Sequence, residues 1–185
     1  TRKHYANGVV PLKSFLKKAP AKTDADFVIV TGDLVDFSEG ETTGGKMSGL
    51  LIDHFARTMK RQKTPLYLTL GNHDVSAYSW NGTSLSSSQK NAGKSRAHWI
   101  RSVPCFREGT YYSRTVTVGH TTYQMIFLDN SYNTVEKNKP VSVPFLSREQ
   151  MQWLEARFAD SPDDVEILFM HIPMNPGMAG FVENN

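Results

Sequence analysis

The chain has 185 residues, 39% of them hydrophobic and 21% charged. That is ordinary globular usage, which excludes a disordered or collagen-like chain and supports a core without disulfide staples. Twenty-one Lys and Arg against eighteen Asp and Glu leave a formal charge of +3, too small an excess for a surface built to grip nucleic acid.

At about 150 residues per domain the length predicts a single domain. The longest apolar runs, residues 27–30 and 126–128, are too short to span a bilayer, so a soluble domain is expected. No signal peptide is visible, and a chain that begins at Thr1 leaves the compartment open. The single Cys105 excludes an internal disulfide and a cysteine-cluster metal site. Between Pro104 and Phe106 it reads as a packing residue, with nothing beside it to stabilise a thiolate.

In chain order, Leu12, Phe15, Leu16 and Ala19 fall at helical spacing. With Asn7 as N-cap and Pro11 in the first turn, they predict a helix over 8–19. Residues 27–31 read as a strand buried on both faces and ended by Gly32. After a Gly- and Thr-rich loop over 37–49, Leu51, Ile52, Phe55 and Met59 give a second helix with Ser48 near its start. Residues 66–70 form a second buried strand, again followed by a glycine, Gly71. From 75 to 109 the pattern weakens into a long irregular insertion, polar over 81–88. A hairpin follows, 111–118 and 122–128 about Gly119 and His120. Ser147 and Gln150 form a capping box ahead of the stripe Met151, Leu154, Phe158, and a last strand covers 165–170. Strands alternating with helices predict a layered α/β fold, to which the hairpin adds antiparallel character.

Three of these strands run into Gly32-Asp33, Gly71-Asn72-His73-Asp74 and Met170-His171. Ligands bind at the carboxyl ends of strands in open α/β sheets, where successive loops converge. A carboxylate, an amide oxygen and an imidazole placed there suit Mn, Fe or Zn better than a thiolate-seeking metal. Taken singly, each has a plainer reading, as a helix cap, an Asx-turn or a hydrogen-bonded histidine.

Gly32-Asp33-Leu34-Val35-Asp36, then Gly71-Asn72-His73-Asp74, then His171-Ile172-Pro173 after a hydrophobic strand resemble successive signatures of the calcineurin-like metallophosphoesterases. Residues 146–154 leading into 167–173 are also similar to the bacterial cyclic-nucleotide phosphodiesterase-like branch of that family. The resemblance spans the chain as one domain, 1–185, and implies an α/β fold of mixed sheets flanked by helices. It implies hydrolysis of a phosphomonoester or phosphodiester, with a small or cyclic nucleotide as one candidate, by a metal-bound hydroxide at a dinuclear centre of Mn, Fe or Zn. In that scheme Asp33 bridges two metals, and Asn72 and His171 bind one of them. His73 protonates the leaving alkoxide, Asp74 orients His73, and Asp36 lies behind the ligands.

The family opens with Asp-x-His and closes with Gly-His-x-His, and neither stands here: Arg2 precedes His4, and Gly119-His120-Thr121-Thr122 lacks the second histidine. The chain is therefore read as incomplete at both ends, the middle of a longer protein. The alternatives are a non-catalytic interaction domain, against which the His73-Asp74 pair counts, and a nuclease, against which the charge counts. Residues 40–46 imitate a phosphate loop, but Met47 stands where Ser or Thr belongs. Asn81-Gly82-Thr83 is a formal glycosylation acceptor. Asp129 is expected to anchor a loop, and His54 and His98 lack ligand spacing. Tyr78, Trp80 and Trp99 are expected either to line a substrate pocket or to pack under the loop.

Overall fold

The computed structural model describes residues 8–37, 39–41, 47–80, 82–136, 139–159 and 161–173. Its first half runs α1 (Val9–Thr23), β1 (Val28–Thr31), β2 (Glu39–Glu41), β3 (Met47–Ser48), α2 (Leu50–Met59) and β4 (Leu66–Thr69). A single helical turn α3 (Asn72–Val75), β5 (Ala77–Trp80), β6 (Leu85–Ser88), α4 (Ala92–Ser102) and a 3-10 turn (Pro104–Phe106) follow. The chain continues through β7 (Tyr112–Val118), β8 (Thr121–Phe127), β9 (Tyr132–Glu136), β10 (Lys139–Phe145), α5 (Arg148–Ala159) and β11 (Val165–Phe169).

β1 and β4 pair in parallel from Val28↔Leu66 to Thr31↔Thr69, so their carboxyl ends are level. β8 is the middle strand of a second sheet, antiparallel to β7 and parallel to β11. β2, β3, β5 and β6 make a small mixed sheet, and β9 with β10 a hairpin.

The two-residue period of β8 decides how the layers stack. Met125 and Phe127 join a core that includes Leu16 of α1, Ile52, Phe55 and Met59 of α2, and Trp99 of α4. Ile126 and Leu128 point the other way, onto Leu146 and Leu154, the latter on α5. Phe127, fully buried, is where the sheets meet: Tyr67 of β4 lies 5.6 Å away, and Tyr112 and Phe169 stack on its ring at 4.7 and 5.0 Å. Burying such a ring contributes about 2–3 kcal/mol from area alone. The result is the expected α/β arrangement, mixed sheets with helices against them.

At the edge of β4 that faces away from β1, the Tyr112 hydroxyl accepts from Leu68 N–H and donates to Leu68 C=O, both at 2.9 Å. One phenol thus satisfies the two backbone groups that another strand would have taken.

Several sequence expectations need correction. α1 continues past Ala19 and through Pro20 to Thr23, where Asp24 turns left-handed (φ 54°). Pro20 forfeits one intrahelical hydrogen bond, but its ring is buried. The expected cap Asn7 lies outside the described residues, and Ser48 belongs to β3. β1 is half-buried, not buried on both faces, because β4 is its only strand partner among the described residues. The supposedly irregular stretch 75–109 carries β5, β6, α4 and the 3-10 turn. The capping box at α5 is half made: Ser147 Oγ accepts from Gln150 N–H, while the Gln150 amide goes elsewhere. Most of the phosphate-loop imitation lies outside the described residues.

Candidate metal and phosphoester site

The site forms where the level ends of β1 and β4 meet the segment after β11. Gly32 (φ 87°) and Asp33 (φ 50°) are both left-handed, which turns the chain sharply as it leaves β1. For a residue with a Cβ this costs on the order of 1–2 kcal/mol, and Asp is among the few side chains that tolerate it. Asp33 Oδ1 accepts from His73 N–H at 3.2 Å and stands 3.3 Å from His171 Nε2.

Both neighbouring glycines are required by this closeness. A Cβ on Gly32 would lie 2.5–2.7 Å from the Nδ1, Cγ and Cβ atoms of His171, and one on Gly71 would strike Asp33 Oδ1 and N and come within 3.0 Å of His171 Cδ2. The imidazole is therefore laid across bare backbone.

His171 Nδ1 lies 2.7 Å from the Thr31 carbonyl. A carbonyl only accepts, so Nδ1 carries the hydrogen and the neutral ring presents its Nε2 lone pair. That lone pair faces the Asp33 carboxylate. Two acceptors at 3.3 Å repel unless a proton or a cation lies between them. Asn72 opens α3 between Gly71, which abuts Asp33, and His73, whose N–H meets Asp33. Carboxylate and imidazole thus meet, with Asn72 on the adjoining turn, and a carboxylate, an imidazole and an amide oxygen are donors that fit a borderline divalent ion. Among the described residues no group of three or more His, Cys, Asp and Glu is gathered around one point.

His73 is oriented by a different residue from the one expected. Its Nδ1 lies 2.7 Å from the Asp36 backbone carbonyl and 3.7 Å from Asp36 Oδ1. Asp74 instead accepts from Val35 N–H at 2.9 Å and Gly71 N–H at 2.7 Å, and its own carbonyl takes the Trp99 indole N–H at 2.8 Å. It is fully buried and latches the loop after β1 to the loop after β4. Burial pushes its carboxyl up to about 7, against the pull of the Gly71, Val35 and Leu34 N–H groups. The sequence order Asp-x-x-Asp and His-Asp leaves two carboxylates available to His73, and only the path of the chain selects Asp36.

Tyr78 stands with its ring centroid 5.7 Å from His73, and Phe37 lies 5.8 Å beyond it. Trp99 is wholly buried and belongs to the core. Burial pushes the Cys105 thiol up to about 11, which disfavours the thiolate a nucleophile would need. His98 pairs with Asp53 at 2.7 Å, away from the site.

Three consecutive residues brace this centre, of which the sequence pointed to Asp129 and not to the two that follow it. Asp129, anchored as expected, takes Arg96 Nε at 2.7 Å and Thr110 Oγ1 at 2.7 Å while fully buried. Asn130 holds both backbone groups of Ile172, and Ser131 Oγ donates to the Leu70 carbonyl at 3.2 Å. Their only sequence signal is a run of short polar side chains directly after a buried strand.

A carboxylate and an imidazole face each other over the carboxyl ends of the strands, where ligands bind in open α/β sheets. A family model for calcineurin-like phosphoesterases matches residues 7–184, and the chain belongs to that family. It is a phosphoric ester hydrolase, and its family generally uses divalent metals. No curated protein matches the sequence significantly. Among the described residues no helix is long and apolar enough to cross a membrane.

Proposed function

We infer that this chain hydrolyses a small phosphomonoester or phosphodiester, a cyclic or small nucleotide among the candidates, at a centre of two transition-metal ions. The observation that carries this reading is Asp33 Oδ1 and His171 Nε2 facing each other at 3.3 Å, with His171 Nδ1 held 2.7 Å from the Thr31 carbonyl. Asp33 would bridge the ions, and Asn72 and His171 would bind one of them. When bound, the ions supply Lewis-acid charge that stabilises the phosphoryl oxygens and makes water a competent nucleophile near neutral pH.

The chain's own residues supply the rest. A water oxygen bonds to phosphorus in line with the ester oxygen, giving up a proton to solvent, and the P–O ester bond breaks as that oxygen leaves. His73 gives its Nε2 proton to the leaving oxygen. Since Nδ1–H already serves the Asp36 carbonyl, the acid form is the imidazolium, with the Asp36 carboxylate 3.7 Å away as its counter-charge. Tyr78, beside His73, walls the leaving-group side.

The test is metal analysis of the purified protein alongside bis(p-nitrophenyl) phosphate hydrolysis, with and without added manganese. Close to two ions per chain with manganese-dependent turnover is expected. Asp33→Asn should lose both ions. His73→Ala should keep them and lose about 10²–10⁴-fold on esters with poor leaving groups, less on nitrophenyl esters. Unchanged metal content in Asp33→Asn would remove that residue from the bridging role. No metal and no rescue would leave an interaction domain that keeps the fold alone.

A further inference from the structure

The last rung joining β8 to β11 is Leu128 N–H on the Phe169 carbonyl, at 2.9 Å. Beyond it the two chains part: β8 runs into Asp129 and Asn130, while β11 runs into Met170 and His171, away from sheet support. Asn130 spans that gap. Its Nδ2 donates to the Ile172 carbonyl at 2.6 Å, and its Oδ1 accepts from Ile172 N–H at 3.2 Å. A side-chain amide has the same donor and acceptor as a peptide, so Asn130 stands in for the next residue of the ladder.

The arrangement repeats one residue earlier. Gln150 Oε1 accepts from Asp129 N–H at 2.9 Å, and its Nε2 donates to the Asp129 carbonyl at 2.8 Å. Asp129 is fixed further by Arg96 and Thr110, and Ser131 reaches the Leu70 carbonyl just before Gly71. The segment that grips Ile172 is itself gripped from α4, α5 and the end of β4, and Asn130 is almost fully buried.

We propose that Asn130 is a positioning residue for His171: its amide extends the β8–β11 ladder by one rung and so holds the His171 imidazole with Nε2 on Asp33. The ring's other restraints, the Thr31 carbonyl and the bare face of Gly32, fix its rotation but not the backbone that carries it. Asn130 fixes the backbone. The inference rests on the metal-site reading above and extends it to a residue that touches neither metal nor substrate.

The experiment is Mn²⁺ titration calorimetry on the whole chain, wild type against Asn130→Ala, Asn130→Asp and His171→Ala, with thermal unfolding of each metal-free protein. Asn130→Asp keeps the volume and the acceptor for Ile172 N–H but sets a carboxylate oxygen against the Ile172 carbonyl, so it serves where Asn130→Ala does not fold. The expected result is Mn²⁺ affinity about 10–100-fold below wild type in both variants, short of the loss in His171→Ala. A purely structural asparagine would lower the melting temperature and leave Mn²⁺ affinity alone. Affinity within threefold of wild type in a folded variant therefore overturns the proposal while sparing the functional reading. A wild-type chain that takes up no Mn²⁺ overturns both.

Discussion

Gly71→Ala tests how tightly the centre is assembled. Its backbone is extended, with φ at −95°, so alanine brings no conformational penalty and the whole effect is steric. The new methyl would overlap Asp33 Oδ1 and N and come 3.0 Å from His171 Cδ2. To restore ordinary contact the loop after β4 must retreat from the loop after β1 by about 1 Å, a shift that costs up to roughly 10²-fold in turnover when it falls on reacting groups. Overpacking of this kind destabilises by about 1–3 kcal/mol. At 2–4 °C per kcal/mol for a chain of this size, melting should fall by about 2–12 °C. The assay is manganese-dependent hydrolysis of bis(p-nitrophenyl) phosphate, with a thermal melt of the same preparation. Gly93→Ala is the matched control: nothing lies within 4 Å of its added methyl, on the exposed face of α4. It should leave activity intact and stability within about 1 kcal/mol of wild type or slightly higher. Full activity and an unchanged melt for Gly71→Ala would refute the packing argument, since Asp33 N, which the methyl also overlaps, is backbone and cannot swing aside.

Arg96→Met should be costly out of proportion to its distance from the chemistry. It strips the Asp129 carboxylate, wholly buried, of its 2.7 Å guanidinium partner. Breaking a buried pair costs about 3–5 kcal/mol, a melting temperature lower by roughly 6–20 °C; a loss under 1 kcal/mol would mean that Asp129 finds another partner. Cys105, held up at about 11 by burial, should be only about one part in a thousand thiolate at pH 8. Iodoacetamide should accordingly label the folded chain far more slowly than the urea-unfolded one, and equal rates would contradict that environment.

What was legible in the sequence follows from what is local. The glycine after each buried strand, the hairpin of β7 and β8, and the stripe of α5 all declare themselves within a few residues. β6 does not, because Leu-Ser-Ser-Ser has little intrinsic strand preference and becomes a strand by pairing with β5. α1 passes through Pro20 because burial outweighs one missing hydrogen bond, which no periodicity records. The site divides in the same way. Asp33, His73 and His171 announce themselves by type and place. Whether Asp36 or Asp74 serves His73 depends on how two loops 37 residues apart cross. Gln150 carries a capping signature, yet its amide is drawn to Asp129, a partner 21 positions away.

The Thr31–His171 contact joins residues 140 positions apart. The length-dependent entropy of closing such a loop is about 4 kcal/mol, and contacts of that span form late. The facing acceptors therefore come together only after both sheets have docked. A cation bridging them would recognise the finished fold and nothing before it, so it would not nucleate the chain. It would lengthen the lifetime of the folded protein instead, slowing unfolding by mass action without hastening folding. Apo and metal-loaded protein should thus reach the native state at one speed and leave it at two.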